Sequence, residues 1–249
     1  MLFESFVHLP RVSSRRERAI WSQGVRSWSD FLRARKIRGF SGNSKELCDW
    51  RIRDSMSRLE SGDVSFFANA FPKSENWRLY DSFKDGACFL DIETDGYYGG
   101  VTVVGVSDGS SSSVFVRGFN LERYLVEREL SKYDIILTFN GSSFDIPVLE
   151  RYFNMRFSLP HIDLRFVCQK VGLSGGLKAI ERALGISRES AVCDFSGADA
   201  VMLWRFWKET GDRKYLELLV EYNEEDCANL KPLADFAIPK LWSKVRWNC

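Results

Sequence analysis

Histidine is nearly absent from this chain: two residues in 249, and the six cysteines form no CxxC pair. That excludes zinc sites of the usual ligand spacing. Cys48, Cys88, Cys168, Cys193, Cys227 and Cys249 are therefore read as reduced thiols. No apolar run reaches the length of a membrane span, and the opening MLFESFVHLP lacks the basic-then-apolar pattern of a secretory leader. No membrane partner and a cytoplasmic location are expected. A Walker spacing is missing too: the glycines of LSGGLK, Gly175 and Gly176, are read as the start of a helix over Leu177–Leu184. Net charge is also scarce, at +1.

The near-zero total hides an asymmetry. Residues 1–80 hold 15 Lys and Arg against 9 Asp and Glu, and the remainder 20 against 25. A basic module of residues 1–80 is thus expected ahead of an acidic domain over 81–249; basic surfaces meet phosphate backbones or simply solvate helices. In the first part, Ser13 and Ser14 are candidate caps for a helix over Arg15–Ser22, with further helices over Ser27–Arg35 and Lys45–Glu60. The stretch HLPRVSSRRERAIWSQGVRSWSDFL resembles a helix-hairpin-helix element, with Arg11 and Ser13 near the places where that hairpin carries glycine; a small helical packing unit is the other reading.

From residue 81 the periodicity changes to strands. Cys88–Glu93, Val101–Val106 and Ser113–Val116 are short β-rich runs separated by turn residues (Asp95, Gly96, Gly99, Gly100; Asp108, Gly109, Ser110), which predicts a three-stranded antiparallel meander. A helix over Asn120–Ser131, a strand over Asp134–Phe139, a helix over Ser143–Tyr152 and a strand at His161–Asp163 follow. Helices over Leu177–Leu184, Ala198–Glu209 and Lys214–Leu233 complete the order of an α/β domain with a mixed five-stranded sheet.

Acidic residues interrupt this pattern in three places. In CFLDIETDG, Asp91 and Glu93 are two apart on a strand and so project from one face, where like charges repel unless a proton or cation intervenes. Asp145, in TFNGSSFD, falls in the first turn of a helix for which Ser142 or Ser143 is a natural cap; alone it is helix-start chemistry. In EYNEEDCANL, Tyr222 and Asp226 share a helix face at i and i+4, and alone would be a surface pair. Together the four carboxylates come from separate elements whose spacing allows them to converge. Hard oxygen ligands favour Mg²⁺ or Mn²⁺, and two such ions support in-line displacement at phosphorus.

LDIET, NGSSFD and YNEED resemble the three motifs of the DEDD 3′–5′ exonuclease superfamily, tyrosine-containing branch, on a ribonuclease H-like fold. The closest likeness is to YprB-type ribonuclease H-like proteins, over about residues 85–235. The resemblance implies metal ligation by Asp91, Glu93, Asp145 and Asp226, with Asp91 bridging two ions when substrate is bound, and a water oriented by Tyr222. It also implies substrate contacts by Thr94, Asn140 and Phe144, and hydrolysis of single-stranded DNA or RNA, or of a frayed 3′ end, to nucleoside 5′-monophosphates. Asp163 is a further acid beside that set, and His161 is left outside it. A ribonuclease H-like endonuclease or resolvase, and a catalytically silent nucleic-acid-binding protein, are the competing classes.

Overall fold

The computed structural model describes residues 1–96, 100–188 and 192–247. Gly99 of the first predicted turn and Cys249 lie outside the described residues. The chain divides into two units, Met1–Asp85 with Ile238–Cys249, and Gly86–Ala237.

The first unit is helical. Four helices start where a side-chain oxygen can accept one of the backbone N–H groups left open at a helix terminus. Ser13 caps α1 (Ser14–Trp21), Ser27 caps α2 (Trp28–Arg33), Ser41 caps α3 (Gly42–Glu60) and Asp63 caps α4 (Val64–Ala70); a single turn, α5 (Tyr80–Phe83), follows. The Ser41 cap explains why α3 starts three residues before the expected Lys45. Phe6, Trp28, Phe31 and Phe67 are fully buried and form the unit's aromatic core. Arg11 adopts φ 61°, the left-handed region that favours glycine, in the turn that the sequence likened to a glycine hairpin.

The second unit is the expected mixed sheet flanked by helices. β1 (Ala87–Thr94), β2 (Val101–Ser107) and β3 (Ser112–Val116) form the antiparallel meander. α6 (Arg123–Leu130) then crosses over to β4 (Ile135–Thr138), which pairs parallel with β1. α7 (Asp145–Phe153) leads to β5 (His161–Asp163), parallel to β4, and the sheet order is β3-β2-β1-β4-β5. α8 (Leu164–Lys170), α9 (Leu177–Leu184), α10 (Gly197–Thr210) and α11 (Arg213–Trp247) complete the described helices.

Alternation along β1 sorts the unit into layers. Cys88, Leu90 and Ile92 point into a core with Val126, Leu130, Val148 and Leu149 of α6 and α7. The opposite face of the sheet, represented by Val103 and Val116, packs with Leu203 and Trp204 of α10 and Leu219 and Tyr222 of α11. Asp91 and Glu93 share the parity that faces this second layer.

Two expectations need correction. Neither Ser142 nor Ser143 caps α7: a turn closed by Ser143 N–H to the Asn140 carbonyl at 3.1 Å puts the helix start at Asp145, so its N-cap is Phe144, which makes no side-chain cap bond, and the Ser142 N–H donates to Asp163 Oδ2 at 3.1 Å. α11 does not end at Leu233 but runs through Pro232 and Pro239 to Trp247. An interior proline costs about 3 kcal/mol; burial of Leu233, Ala234, Ala237, Ile238 and Leu241 along one stripe offsets it.

Candidate functional site

The site is assembled from the end of β1 and the middle of α11. Asp91 and Glu93 pair across the sheet with Gly105 and Val103 of β2. Gly105 is required there: a Cβ would overlap Asn223 Oδ1 and sit 2.7 Å from Cys227 Sγ, so only glycine lets α11 lie this close to the strand. The approach allows Asn223 Nδ2 to donate to Asp91 Oδ2 at 2.8 Å. One turn further along α11, Asp226 joins the two strand acids, and ligand oxygens of Asp91, Glu93 and Asp226 all lie within 4.8 Å of one another. Glu93 and Asp226 are buried.

Asp145 stands next to this trio without being part of it. At the first position of α7, its Oδ1 accepts the N–H of Ile92, between the two strand acids, at 3.2 Å. Burial pushes its carboxyl up to about 7, opposed by the N–H bonds of its own helix start and Ile92, with Asp163 and Asp226 adding repulsion. Burial holds Asp91 and Glu93 well above the usual carboxylate range, and Asp226 and Asp145 add to it at both. Asp226 is raised by burial and drawn back by Arg188. Tyr222 is raised above its ordinary value by burial, then by Asp226, Glu93 and Asp91, so the phenol keeps its proton in this company.

Two cations that sequence reasoning missed stand over the same tyrosine. Lys178 Nζ lies 4.7 Å from the Tyr222 ring centroid, and the Arg188 guanidinium 5.9 Å. Arg188 pairs with Asp226 at 2.5 Å and donates to both oxygens of Glu181 at 2.7 Å. The proposed substrate residues are more scattered. Thr94 is buried at the end of β1, where the pairing with β2 shifts register. Asn140 has φ 69°; Asp163 accepts its N–H at 2.9 Å, and its Oδ1 accepts from Arg165 Nη1 at 2.6 Å. Asp163 thus anchors the strand-to-helix loop rather than joining the acidic trio. Phe144 is 41% exposed. His161 Nε2 is 2.8 Å from Thr138 Oγ1, a structural contact.

The donor set fits a divalent cation. It is all oxygen, largely buried, mutually repulsive, and its Asp226 Oδ1 has no hydrogen-bond partner among the described residues. A mixed sheet in this order, carrying acids on its first strand and on the helix laid across it, is the arrangement of the ribonuclease H-like class. The RNase_H_2 family model, of the RNase H superfamily, matches residues 88–238, and the chain belongs to that family. No curated protein matches the chain. The family and the acidic cluster together fit a metal-dependent nuclease acting on nucleic acid.

Proposed function

We propose that the chain is a 3′–5′ exonuclease of the DEDD superfamily, tyrosine-containing branch and YprB type, that shortens single-stranded DNA or RNA ends and releases nucleoside 5′-monophosphates. The observation that carries this reading is the convergence of Asp91, Glu93 and Asp226 with Tyr222 one helical turn before Asp226. Asp91, Glu93 and Asp226 would hold the cation, with Asp145 supporting a second. Bound there, two Mg²⁺ or Mn²⁺ ions would supply activation of a water and neutralisation of charge at the leaving oxygen.

The chain's own residues perform the rest. Asn223 fixes the orientation of Asp91, and the Ile92 N–H fixes that of Asp145. Tyr222, protonated, donates a hydrogen bond that orients the attacking water and does not serve as a base. The exposed ring of Phe144 stacks on the terminal base. Thr94 offers its backbone N–H to the terminal sugar. Asn140, whose Oδ1 is taken by Arg165, keeps Nδ2 for the strand.

The test is incubation of the purified protein with 5′-labelled single-stranded DNA and RNA in Mn²⁺, Mg²⁺ or EDTA. A metal-dependent ladder shortening from the 3′ end is expected, with Asp91→Ala and Asp226→Ala each slower by about three orders of magnitude. A single internal cut, or full activity in either variant, would overturn the assignment.

A further inference from the structure

Arg188 has three guanidinium nitrogens and an uneven set of partners. Nε and Nη2 each donate to a different oxygen of Glu181 at 2.7 Å, a bidentate fork. Nη2 is also the atom 2.5 Å from Asp226 Oδ1, yet that oxygen has no aligned hydrogen bond among the described residues. Nη1 is buried and has no hydrogen-bond partner among them either. The side chains of Arg188 and Glu181 are 5% and 2% exposed, so water does little to screen this charge. The hold on Glu181 is therefore a complete two-point fork, whereas Asp226 is met by a single nitrogen, Nη2, that Glu181 already shares.

Asp226 is also one of the three carboxylates whose oxygens lie within 4.8 Å of one another. A guanidinium this close to Asp226 repels a divalent cation arriving at the same carboxylate and competes with it for the negative charge. We propose that Arg188 is the resident counter-cation of the acidic cradle: it neutralises Asp226 in the metal-free protein, and an entering divalent ion must displace it while Glu181 retains it. Arg188 is then a positioning residue that acts through Asp226 and sets how readily the cradle loads. This rests on the metal-dependent reading above. Displacement is reciprocal, so whatever the ion loses in affinity to Arg188, Arg188 loses in its hold on Asp226 once the ion is bound.

The experiment is calorimetric titration of the full chain with Mn²⁺, without nucleic acid, comparing the wild type with Arg188→Gln and Arg188→Lys. Arg188→Gln should bind Mn²⁺ about tenfold tighter, the size of one charge-assisted contact. Its metal-free form should melt lower than the wild type, and its melting temperature should rise more on adding Mn²⁺. Arg188→Lys, which keeps a charge but loses the fork, should fall between the two and serves as the deciding variant if Arg188→Gln does not fold. A purely structural role would weaken Mn²⁺ binding along with folding, so the sign of the change separates the two. If the wild type binds Mn²⁺ and the folded variants bind it equally or more weakly, the role of Arg188 is overturned and the metal reading stands. If neither wild type nor variants take up Mn²⁺, the metal reading falls and this inference with it.

Discussion

Each of the two units buries an arginine against a glutamate, and the two pairs are built to different ends. In the first, Arg78 and Glu17 are 1% and 0% exposed, and every guanidinium nitrogen has a partner: Nη1 donates to Ser5 Oγ and Glu17, Nη2 to Glu17, and Nε to Glu75. Glu17 also accepts the N–H of Phe6. This is a closed network with nothing left to bind. In the second, Arg188 satisfies Glu181, has no hydrogen-bond partner for Nη1 among the described residues, and leans on an Asp226 shared with Asp91 and Glu93. Burial of charge alone does not mark a functional site. The surplus does: more carboxylate than the resident cation can match.

The largest way to break this comparison is to remove one partner of the closed pair. Glu17→Gln leaves Arg78 buried without its main counter-charge, which should lower stability by about 3 kcal/mol, softened by Glu75. Denaturant titration should show the fall, and a loss under about 1 kcal/mol would mean that the pair is not the closed network described.

His8 sharpens the picture from within the first unit, because both its ring nitrogens are buried without a hydrogen-bond partner among the described residues. It lies against Trp28 and Phe71. Burial first, then the positive fields of Arg51 and Arg78, lower its pKa from 6.5 to about 3. The folded state therefore refuses a proton that the unfolded chain accepts between those values. Stability is complete above pH 6.5 and declines as pH falls towards 3, with a loss of about 3 kcal/mol by pH 4. His8→Phe should flatten that part of the profile; an unchanged slope would show that other groups govern it.

The legible and illegible parts of the molecule divide on range. The meander was readable because β-branched runs alternate with Asp and Gly turns, and Asp91 and Glu93 were readable as same-side acids from strand parity alone. The convergence of Asp91, Glu93 and Asp226 followed from motif order. Asn223 had a local signal that went unused: it sits one position from Tyr222 and three before Asp226, with Gly105 open on the strand beneath. Arg188 and Lys178 had none. Their partners are set by how α9 and the segment after it pack against α11, and no periodicity encodes a contact between Arg188 and a carboxylate thirty-eight residues away. The extension of α11 past two prolines was equally hidden, since local propensity argues against it and only burial decides it.

The smallest effect tests the comparison by its sign. In the metal-free protein Asp91 is held well above the usual carboxylate range, by burial first and then by Asp226, Asp145 and Glu93, so at neutral pH keeping it ionised opposes folding. Asp91→Asn removes that charge without changing shape, and its amide oxygen can still accept from Asn223. The metal-free variant should melt about 2–4 °C higher, the shift that about 1 kcal/mol gives in a chain of this size, and should lose its stabilisation by Mn²⁺. Burial raises Glu17 too, with Arg78 drawing it back, yet Glu17→Gln, the same chemical change, moves stability the other way because it leaves the buried Arg78 guanidinium without its main counter-charge. If both substitutions lower the melting temperature of the metal-free protein, the acids on β1 are as well compensated as Glu17, and surplus carboxylate is not what distinguishes the second unit.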